Sequence, residues 1–394
     1  MQVHDSRPPF AGLANLTDEA LATLPTPCYL LDEAQLRRNG EILLGVQQRT
    51  GCKILLAQKA FSNFNVYPVL APYLAGTEAS GLYESRLGKE ELPEKENHVF
   101  CAAYRADEFA ELLQYADHIV FNSPSQLAKF GPAAKAAGKS VGLRLNPECS
   151  TQEGHAIYDP CAPGSRLGVT RAQFPEELPE DIEGLHFHTL CEQDADDLVK
   201  TFYAFEEKFG QYLTKIKWLN LGGGHHITRP GYHLEELKKL IGYITDRYHL
   251  TVYLEPGEAI ALNAGYLVTE VQDIVKNDLD ILILDASAAC HMPDVLEMPY
   301  RPPLRGGFPA KEKPYTYRLS SMTCLAGDVI GDYSFTQEIH VGDRLVFEDM
   351  AIYSMVKNNT FNGMPLPAIA VQKEDGTVQI VKEFGYEDFK MRLS

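Results

Sequence analysis

Short apolar segments alternate with longer segments of helical spacing throughout the central part of the chain. The apolar segments have the length of buried strands, and polar turns follow them. Eight of them occur, at residues 53–58, 76–80, 98–103, 118–122, 140–146, 184–188, 217–221 and 250–255. An open doubly wound sheet shares this alternation, but eight strand–helix units is the number that closes a (β/α)₈ barrel. The alternation therefore predicts a TIM barrel.

A different, β-rich pattern begins at residue 263. Segments 266–275, 281–284, 344–347 and 378–382 look like strands joined by turns of Gly, Pro and Asp. We therefore expect an α/β plus β protein, a (β/α)₈ TIM barrel with a C-terminal β-sandwich or barrel-like domain. The predicted division is a lead-in at residues 1–26, the barrel at 27–262 and the β-domain at 263–394. An early strand at residues 28–32 is a candidate addition to the β-domain.

Composition excludes several classes of protein. The 394 residues include 36 basic and 54 acidic side chains, a net charge of -18, which argues against a nucleic-acid partner. No apolar run reaches the length of a membrane span, and the N-terminus lacks the apolar core of a signal peptide. The eight cysteines contain no C-x-x-C pair, so neither a disulfide framework nor a zinc ribbon is indicated. We expect a cytoplasmic enzyme without membrane contact.

The ends of the predicted barrel strands carry the residues that could catalyse a reaction or bind a ligand. Catalytic groups of TIM barrels lie at the C-terminal ends of the strands. Those positions hold Lys59, Arg144, His188, Gly222, Gly223, Gly224, Glu255, Gly257 and Glu258. Taken singly, each has a structural explanation as a core group, an ion-pair partner, a turn or a cap. A lysine, an arginine, a histidine and a glutamate gathered at one barrel mouth favour a ligand site instead.

One ambiguity remains on the sixth predicted strand. His186 lies two residues before His188 and shares its face of the strand, so the pattern does not single out either histidine.

The residue types at the strand ends fit pyridoxal 5'-phosphate. Glycine-rich turns expose backbone N–H groups that hold phosphate, and barrels bind phosphate after strands seven and eight. A lysine can form an imine with the cofactor aldehyde. A carboxylate raises the pKa of the ring nitrogen and keeps it protonated. A protonated pyridine is an electron sink that stabilises the carbanion left by decarboxylation.

Motifs along the chain resemble those of the alanine-racemase-like, fold-type III pyridoxal phosphate-dependent decarboxylases. The barrel carries Thr26-Pro-Cys-Tyr-Leu-Leu-Asp32, Lys59-Ala, Gly184-Leu-His-Phe-His188, Leu219-Asn-Leu-Gly-Gly-Gly224 and Leu254-Glu-Pro-Gly257. The β-domain carries Met322-Thr-Cys324-Leu-Ala-Gly-Asp328, Met350-Ala-Ile-Tyr353 and Thr360-Phe-Asn-Gly363. The resemblance covers nearly the whole chain from Pro25.

The resemblance implies a role for each site residue. Lys59 would hold the cofactor covalently, His188 would stack on its ring, and Glu255 would hold its ring nitrogen. The remaining cofactor contacts would come from Arg144, Gly222, Gly223, Gly224, Gly257, Glu258 and Tyr353, several of them to the phosphate. The family completes its active sites across a homodimer. Cys324 would then enter from the neighbouring subunit as the proton donor, and Asp328 would meet a substrate amine.

Two departures point to one branch of the family. Ornithine and diaminopimelate decarboxylases usually have arginine where this chain has Glu258, and an acidic residue where it has Leu325. Both changes, and the stretch from His291 to Pro302, are similar to the branch that acts on carboxynorspermidine and carboxyspermidine. The implied substrate is a carboxylated polyamine in polyamine biosynthesis, with Asp294 and Glu297 as further partners for its amines.

Four alternatives stay open at this stage. The substrate can be another basic amino acid, such as diaminopimelate or ornithine. The chain can be a metal-dependent barrel hydrolase, because His186-x-His188 resembles a metal pair and His225 and His226 follow closely, although Lys59 then has no role. A non-enzymatic carrier of the cofactor and a racemase are the others. A racemase would place arginine at the ring nitrogen, and we expect no metal site.

Overall fold

The computed structural model describes residues 18–152 and 156–394, so most of the expected lead-in lies outside the described residues. The chain divides into two compact units. Arg38–Ile260 forms the barrel unit, and residues up to Arg37 form the sheet unit together with Ala261–Ser394. Within the described part of the chain, no helix combines the length and apolar character needed to cross a membrane.

Strands and α-helices alternate up to residue 261, except that two short 3-10 helices, Ala156–Tyr158 and Arg171–Gln173, lie between the sixth and seventh strands. The first three are α1 (Asp18–Thr23), β1 (Cys28–Asp32) and α2 (Glu33–Thr50). The barrel strands are β2 (Lys53–Ala57), β3 (Gly76–Ala79), β4 (Glu96–Phe100), β5 (His118–Phe121), β6 (Ser140–Arg144), β7 (Gly184–His186), β8 (Trp218–Asn220) and β9 (Thr251–Leu254). The helices between and after them are α3 (Tyr67–Leu70), α4 (Leu82–Glu91), α5 (Phe109–Tyr115), α6 (Pro124–Ala136), α7 (Ala195–Leu213), α8 (Leu234–Tyr248) and α9 (Glu258–Ala261).

Strands β2 to β9 pair in parallel and close into a barrel, because β9 returns to pair with β2. This confirms the predicted TIM barrel. Buried parallel strands read as continuous apolar runs, which is why all eight are visible in the sequence. The interior is packed: Leu55, Val120, Trp218 and Tyr253 form one buried cluster.

Two glycines make room for the single tryptophan of the chain. A Cβ atom at Gly184 would lie 2.0 Å from the Trp218 ring, and one at Gly142 would lie 2.4 Å from it. The indole N–H donates to the Ser140 hydroxyl at 2.9 Å. Trp218 therefore fills the barrel beside two strands that have no side chain at those positions, while the C-terminal strand ends carry polar groups.

The sheet unit is built from strands that follow the barrel. They are β10 (Gly265–Asn277), β11 (Leu279–Leu284), β12 (Phe308–Pro309), β13 (Tyr315–Ser321), β14 (Val329–Phe335), β15 (Arg344–Glu348), β16 (Ala368–Gln372) and β17 (Val378–Lys382), with short helices α10 (Ala288–His291), α11 (Asp294–Glu297) and α12 (Tyr386–Lys390). With β1 they form a nine-stranded mixed sheet, in which β10 pairs with β1, β11 and β15.

The structure differs from the predicted division at its start. Strand β1 pairs with β10 and β16, so residues 28–32 belong to the sheet, in agreement with the expected addition of this early strand to the β-domain. The barrel unit consequently begins at Arg38 instead of residue 27. Strands β12, β13, β14 and β16 were not predicted. Strands β12 and β14 contain proline or glycine, and β13 alternates between buried and partly exposed positions.

Candidate active site

The barrel mouth brings the predicted residues to the same end of the barrel. Lys59 lies half-buried in the turn after β2, Arg144 ends β6, and His188 lies two residues beyond β7. Glu255 directly follows β9, and the three glycines follow β8. Hydrogen bonds connect the strand ends that carry Arg144, His188 and Glu255 with the glycine turn. The positive charge of Lys59 also lowers the pKa of Glu255 and that of His188.

Glu255 is the centre of this network. Its side chain is 3% exposed, its Oε1 atom lies 2.7 Å from His186 Nε2, and its Oε2 atom accepts from Asn220 Nδ2 at 2.9 Å. Burial by itself would raise the pKa of Glu255. The interactions with His186, His188 and Lys59 outweigh it and hold the pKa well below the ordinary value of 4.5. The barrel mouth therefore contains a buried carboxylate that is ionised at neutral pH.

His188 is a neutral ring fixed by the glycine turn. The Gly223 N–H donates to its Nδ1 atom at 3.0 Å, and the Glu255 carboxylate is 3.8 Å from that same atom. Burial, reinforced by the positive charges of Lys59 and Arg144, lowers the pKa of His188 to about 3. A neutral, oriented imidazole suits the stacking role that the resemblance implies.

Arg144 holds the other side of the His188 segment. Its guanidinium donates to the His188 carbonyl at 3.1 Å and lies 4.6 Å from the centre of the Phe100 ring. Burial lowers the pKa of Arg144 to about 10, which leaves it charged at neutral pH. Arg144 thus supplies a buried positive charge and positions the backbone next to the candidate stacking residue.

The glycine turn packs so closely that side chains cannot enter it. A Cβ atom at Gly222 would lie 2.6 Å from the Phe187 carbonyl oxygen, one at Gly223 would lie 2.2 Å from that of Glu255, and one at Gly224 would lie 2.0 Å from that of Leu190. Gly222 and Gly224 also have positive φ values of 76° and 81°. The Gly222 N–H donates to Asn220 Oδ1 at 2.8 Å, so the turn is fixed by the same asparagine that contacts Glu255.

The histidines of the metal-hydrolase hypothesis all contact protein groups. His186 contacts Glu255, His188 accepts from Gly223, and His225 Nε2 lies 3.0 Å from the Gly222 carbonyl oxygen. His226 Nε2 lies 2.6 Å from Glu258 Oε2, which gives a structural partner to the glutamate that replaces the usual arginine. Among the described residues, the groups that could hold a metal are Glu96, His98 and His118, and Asp194, Asp196 and His233. Neither group includes these four histidines.

Glu78 is a barrel-mouth residue that the sequence reasoning missed. It is 2% exposed on β3, and its Oε2 atom has no hydrogen-bond partner among the described residues. Burial raises the pKa of Glu78 to about 8, against the opposing effect of the Lys59 charge. An acidic residue inside a short buried strand was a usable signal, because central parallel strands are mostly apolar. Asn220 and Phe100 were missed as well.

The sheet unit carries the remaining predicted residues. Cys324 is exposed in the loop after β13, and its N–H donates to Asn362 Oδ1 at 2.7 Å. Tyr353 has a positive φ of 50°. Asp328 is 1% exposed, and its Oδ2 atom accepts from three hydroxyl groups.

Asp294 and Glu297 already have a partner of opposite charge. Lys357 Nζ lies 2.5 Å from Asp294 Oδ1 and also contacts the Glu297 carboxylate. Burial raises the pKa of Asp294, and Lys357 partly offsets that effect. The predicted amine-binding carboxylates thus form a cluster with a lysine of the chain itself.

Comparison with known proteins places this arrangement in a family. The pyridoxal-dependent decarboxylases with a C-terminal sheet domain match residues 28–351. Carboxyaminopropylagmatine decarboxylase from Synechocystis sp. is 43% identical over 380 residues, which cover 96% of this chain and 98% of that protein. Carboxynorspermidine/carboxyspermidine decarboxylase from Campylobacter jejuni is 41% identical, with coverage of 94% and 98%.

A solved structure agrees with these relatives. The crystal structure of carboxynorspermidine decarboxylase from Campylobacter jejuni, complexed with norspermidine, has a TM-score of 0.87 at 40% identity. The alignment covers 94% of this chain and 100% of that one. The resemblance found in the motifs is confirmed, and the chain belongs to the family of pyridoxal-dependent decarboxylases.

Proposed function

We propose that this chain uses pyridoxal 5'-phosphate to release carbon dioxide from carboxynorspermidine or carboxyspermidine in polyamine biosynthesis. The observation that carries the proposal is the buried, ionised carboxylate of Glu255 at a barrel mouth that also holds Lys59. The relatives at 41–43% identity support the substrate, since they are named for carboxylated polyamines or for a carboxylated agmatine derivative.

The donor set fits the cofactor. Lys59 offers the amine for a covalent link, and Glu255 offers an anion for the protonated ring nitrogen. His188 offers a neutral ring for stacking, and the backbone of Gly222, Gly223 and Gly224 is the proposed contact for the phosphate. Gly257, Glu258, Arg144 and Tyr353 complete the proposed set. When bound, the cofactor supplies the electron sink that decarboxylation requires.

The residues of the chain divide the remaining tasks. Glu255 keeps a negative charge in a site from which water is largely excluded, where its attraction for a ring N–H is strongest. Arg144 fixes the backbone of His188, and Gly223 fixes its ring. Cys324 is proposed as the proton donor, and its exposure leaves its thiol accessible.

We propose that the substrate tail meets acidic side chains of the sheet unit. A polyamine tail carries two charged amines, and burying them is costly unless carboxylates are near. Asp328, Asp294 and Glu297 are the proposed partners. Because Lys357 occupies Asp294 and Glu297, a substrate ammonium group would compete with that lysine for them. Leu325, which is 43% exposed, would line an apolar part of the path.

We also propose a homodimer with shared active sites. The loop that carries Cys324 presents Met322 at 49% and Leu325 at 43% exposure. Exposed apolar side chains beside a candidate catalytic thiol are suited to a subunit contact. A neighbouring subunit would then bring Cys324 and Asp328 to the barrel mouth.

Carbon dioxide release measures the substrate directly. We expect kcat/KM for carboxynorspermidine or carboxyspermidine to exceed that for ornithine and diaminopimelate by at least about tenfold, since the shorter molecules lack the amine-bearing tail that the proposed carboxylates would meet. Carboxyaminopropylagmatine belongs in the same assay because the Synechocystis relative is named for it. Equal rates with ornithine or diaminopimelate would overturn the proposed substrate. The Lys59→Ala variant, which should neither retain cofactor covalently nor turn over, is the control.

A further inference from the structure

We propose that His186 is a positioning residue that orients the carboxylate of Glu255 toward the cofactor ring. This inference rests on the proposed function, because it concerns how the site receives pyridoxal 5'-phosphate. It resolves the ambiguity between His186, the last residue of β7, and His188, which lies two residues beyond that strand.

Two donors hold the Glu255 carboxylate in one plane. His186 Nε2 lies 2.7 Å from Oε1, and Asn220 Nδ2 donates to Oε2 at 2.9 Å. A carboxylate has about four acceptor positions, so two remain for other donors. Because each oxygen is held by a separate side chain, rotation of the carboxylate would break both bonds. The free acceptor positions consequently keep a fixed direction.

The proton of His186 can be assigned from its surroundings. Its Nδ1 atom is buried and has no hydrogen-bond partner among the described residues. Glu255 is ionised and can only accept, so Nε2 carries the proton and donates it. Burial lowers the pKa of His186, and the charges of Arg144 and Lys59 lower it further, so that together they outweigh the opposing effect of the Glu255 carboxylate. His186 therefore stays neutral and acts as a fixed donor.

His188 cannot perform the same task. Its Nδ1 atom accepts from the Gly223 N–H at 3.0 Å, so that atom carries no proton. It is also 3.8 Å from Glu255 Oε1, which is longer than a hydrogen bond. The Nδ1 atom of His188 is therefore occupied by its hydrogen bond with the glycine turn, and His186 is the histidine that donates to Glu255.

The ring of His186 is itself held in place. Phe100 stacks on it with ring centres 5.5 Å apart and an angle of 15° between the planes. Arg144 lies over the same Phe100 ring at 4.6 Å. His186 is 1% exposed, so the imidazole has little room to turn. A fixed donor of this kind preorganises the glutamate before the ligand arrives.

The test uses the holoenzyme loaded with pyridoxal 5'-phosphate that is labelled with ¹⁵N in its ring. The ¹⁵N chemical shift reports protonation of the ring nitrogen independently of turnover. His186→Leu removes the donor, and His186→Asn places its amide too far back to reach Glu255. His186→Gln keeps an N–H group at the position of Nε2. His98→Leu is the matched control, because His98 is equally buried and pairs with Glu96 at 3.1 Å.

We expect the wild type, His186→Gln and His98→Leu to keep a protonated ring nitrogen across pH 6 to 9. In His186→Leu and His186→Asn the shift should move toward the unprotonated value as pH rises. Their kcat should fall about 10- to 100-fold, with KM changing less, as for lost outer hydrogen-bond partners of metal ligands.

The possible outcomes distinguish the positioning role of His186 from the proposed decarboxylase function. A wild-type shift in either folded variant, His186→Leu or His186→Asn, would overturn the positioning role and leave the decarboxylase assignment standing. Failure of the wild-type protein to bind the labelled cofactor would overturn the proposed function, and the role of His186 with it. A shift that changes equally in His98→Leu would show a general effect of core substitution and would also overturn the proposal.

Discussion

Asp328 accepts a 2.6 Å hydrogen bond from the Ser287 hydroxyl, and the bond joins the loop before α10 to the loop before β14. The hydroxyls of Ser321 and Thr323 donate to the same carboxylate oxygen, each at 2.6 Å. The Ala289 N–H donates to the other oxygen at 3.2 Å. The carboxylate proposed to meet a substrate amine therefore also organises the loop that carries Cys324.

Asp328→Asn should accordingly lower the free energy of unfolding by about 2–4 kcal/mol, since an amide cannot accept all of these bonds and a charged acceptor is lost. Asp332→Asn is the control, because Asp332 pairs with Arg318 on the surface and should change stability by less than about 1 kcal/mol. Urea unfolding of both variants measures the difference. Equal stabilities, with a raised KM for Asp328→Asn, would assign the residue to substrate binding alone.

Glu78 should make stability depend on pH. The folded protein keeps the Glu78 proton up to about pH 8, whereas the unfolded chain releases it near the ordinary value of 4.5. Between these values the folded state binds more protons, so stability should fall as pH rises and become level above about pH 8. Thermal unfolding of cofactor-free protein from pH 5 to 9 measures this.

Glu78→Gln should remove that part of the pH dependence, because an amide does not titrate. Glu177→Gln, at an exposed position, should leave it unchanged. The same slope in Glu78→Gln and the wild type would mean that Glu78 does not carry the proton.

Gly223→Ala should weaken both stability and cofactor affinity. The added Cβ would lie 2.2 Å from the Glu255 carbonyl oxygen, so the turn must move away from the end of β9. Gly45→Ala is a control that should change the stability in the opposite direction. Gly45 lies inside α2, where the added Cβ would have no atom within 4 Å apart from the backbone of the helix and the neighbouring residues, and alanine should stabilise the helix by about 1 kcal/mol. Equal effects of the two substitutions, measured by unfolding and cofactor titration, would contradict the close packing.

Lys357→Met should lower KM for the carboxylated triamine if Asp294 and Glu297 bind its tail, because both carboxylates then lose their present partner. We expect a change of several-fold, in keeping with partly exposed ion pairs. The KM for ornithine should stay the same, since ornithine lacks the longer tail. An unchanged KM for both substrates would assign the Lys357 cluster to structure.

The sequence predicts the barrel well and the sheet poorly for a physical reason. Barrel strands are buried on both faces and appear as apolar runs, whereas β13 alternates between buried and partly exposed residues and β14 includes Gly331 and Asp332. In the site, strand-end position selects Lys59, Glu255 and the pair His186 and His188 as candidates. The contact of His186 with Glu255 spans 69 residues, and the pairing of Lys357 with Asp294 spans 63 residues. Local pattern contains neither kind of information.

Subunit complementation tests the proposed dimer. Lys59 belongs to the barrel unit and Cys324 to the sheet unit, and the proposal draws them from different subunits. Lys59→Ala and Cys324→Ala proteins, each inactive or impaired, should regain activity when they are mixed, unfolded together and refolded. Random pairing makes about half of the dimers mixed. In each mixed dimer one of the two sites has both wild-type residues, so about one quarter of the wild-type activity is expected. Refolding each variant alone is the control, and sedimentation shows the oligomeric state. Full activity in a demonstrated monomer, or a mixture no more active than its separate components, would contradict shared sites.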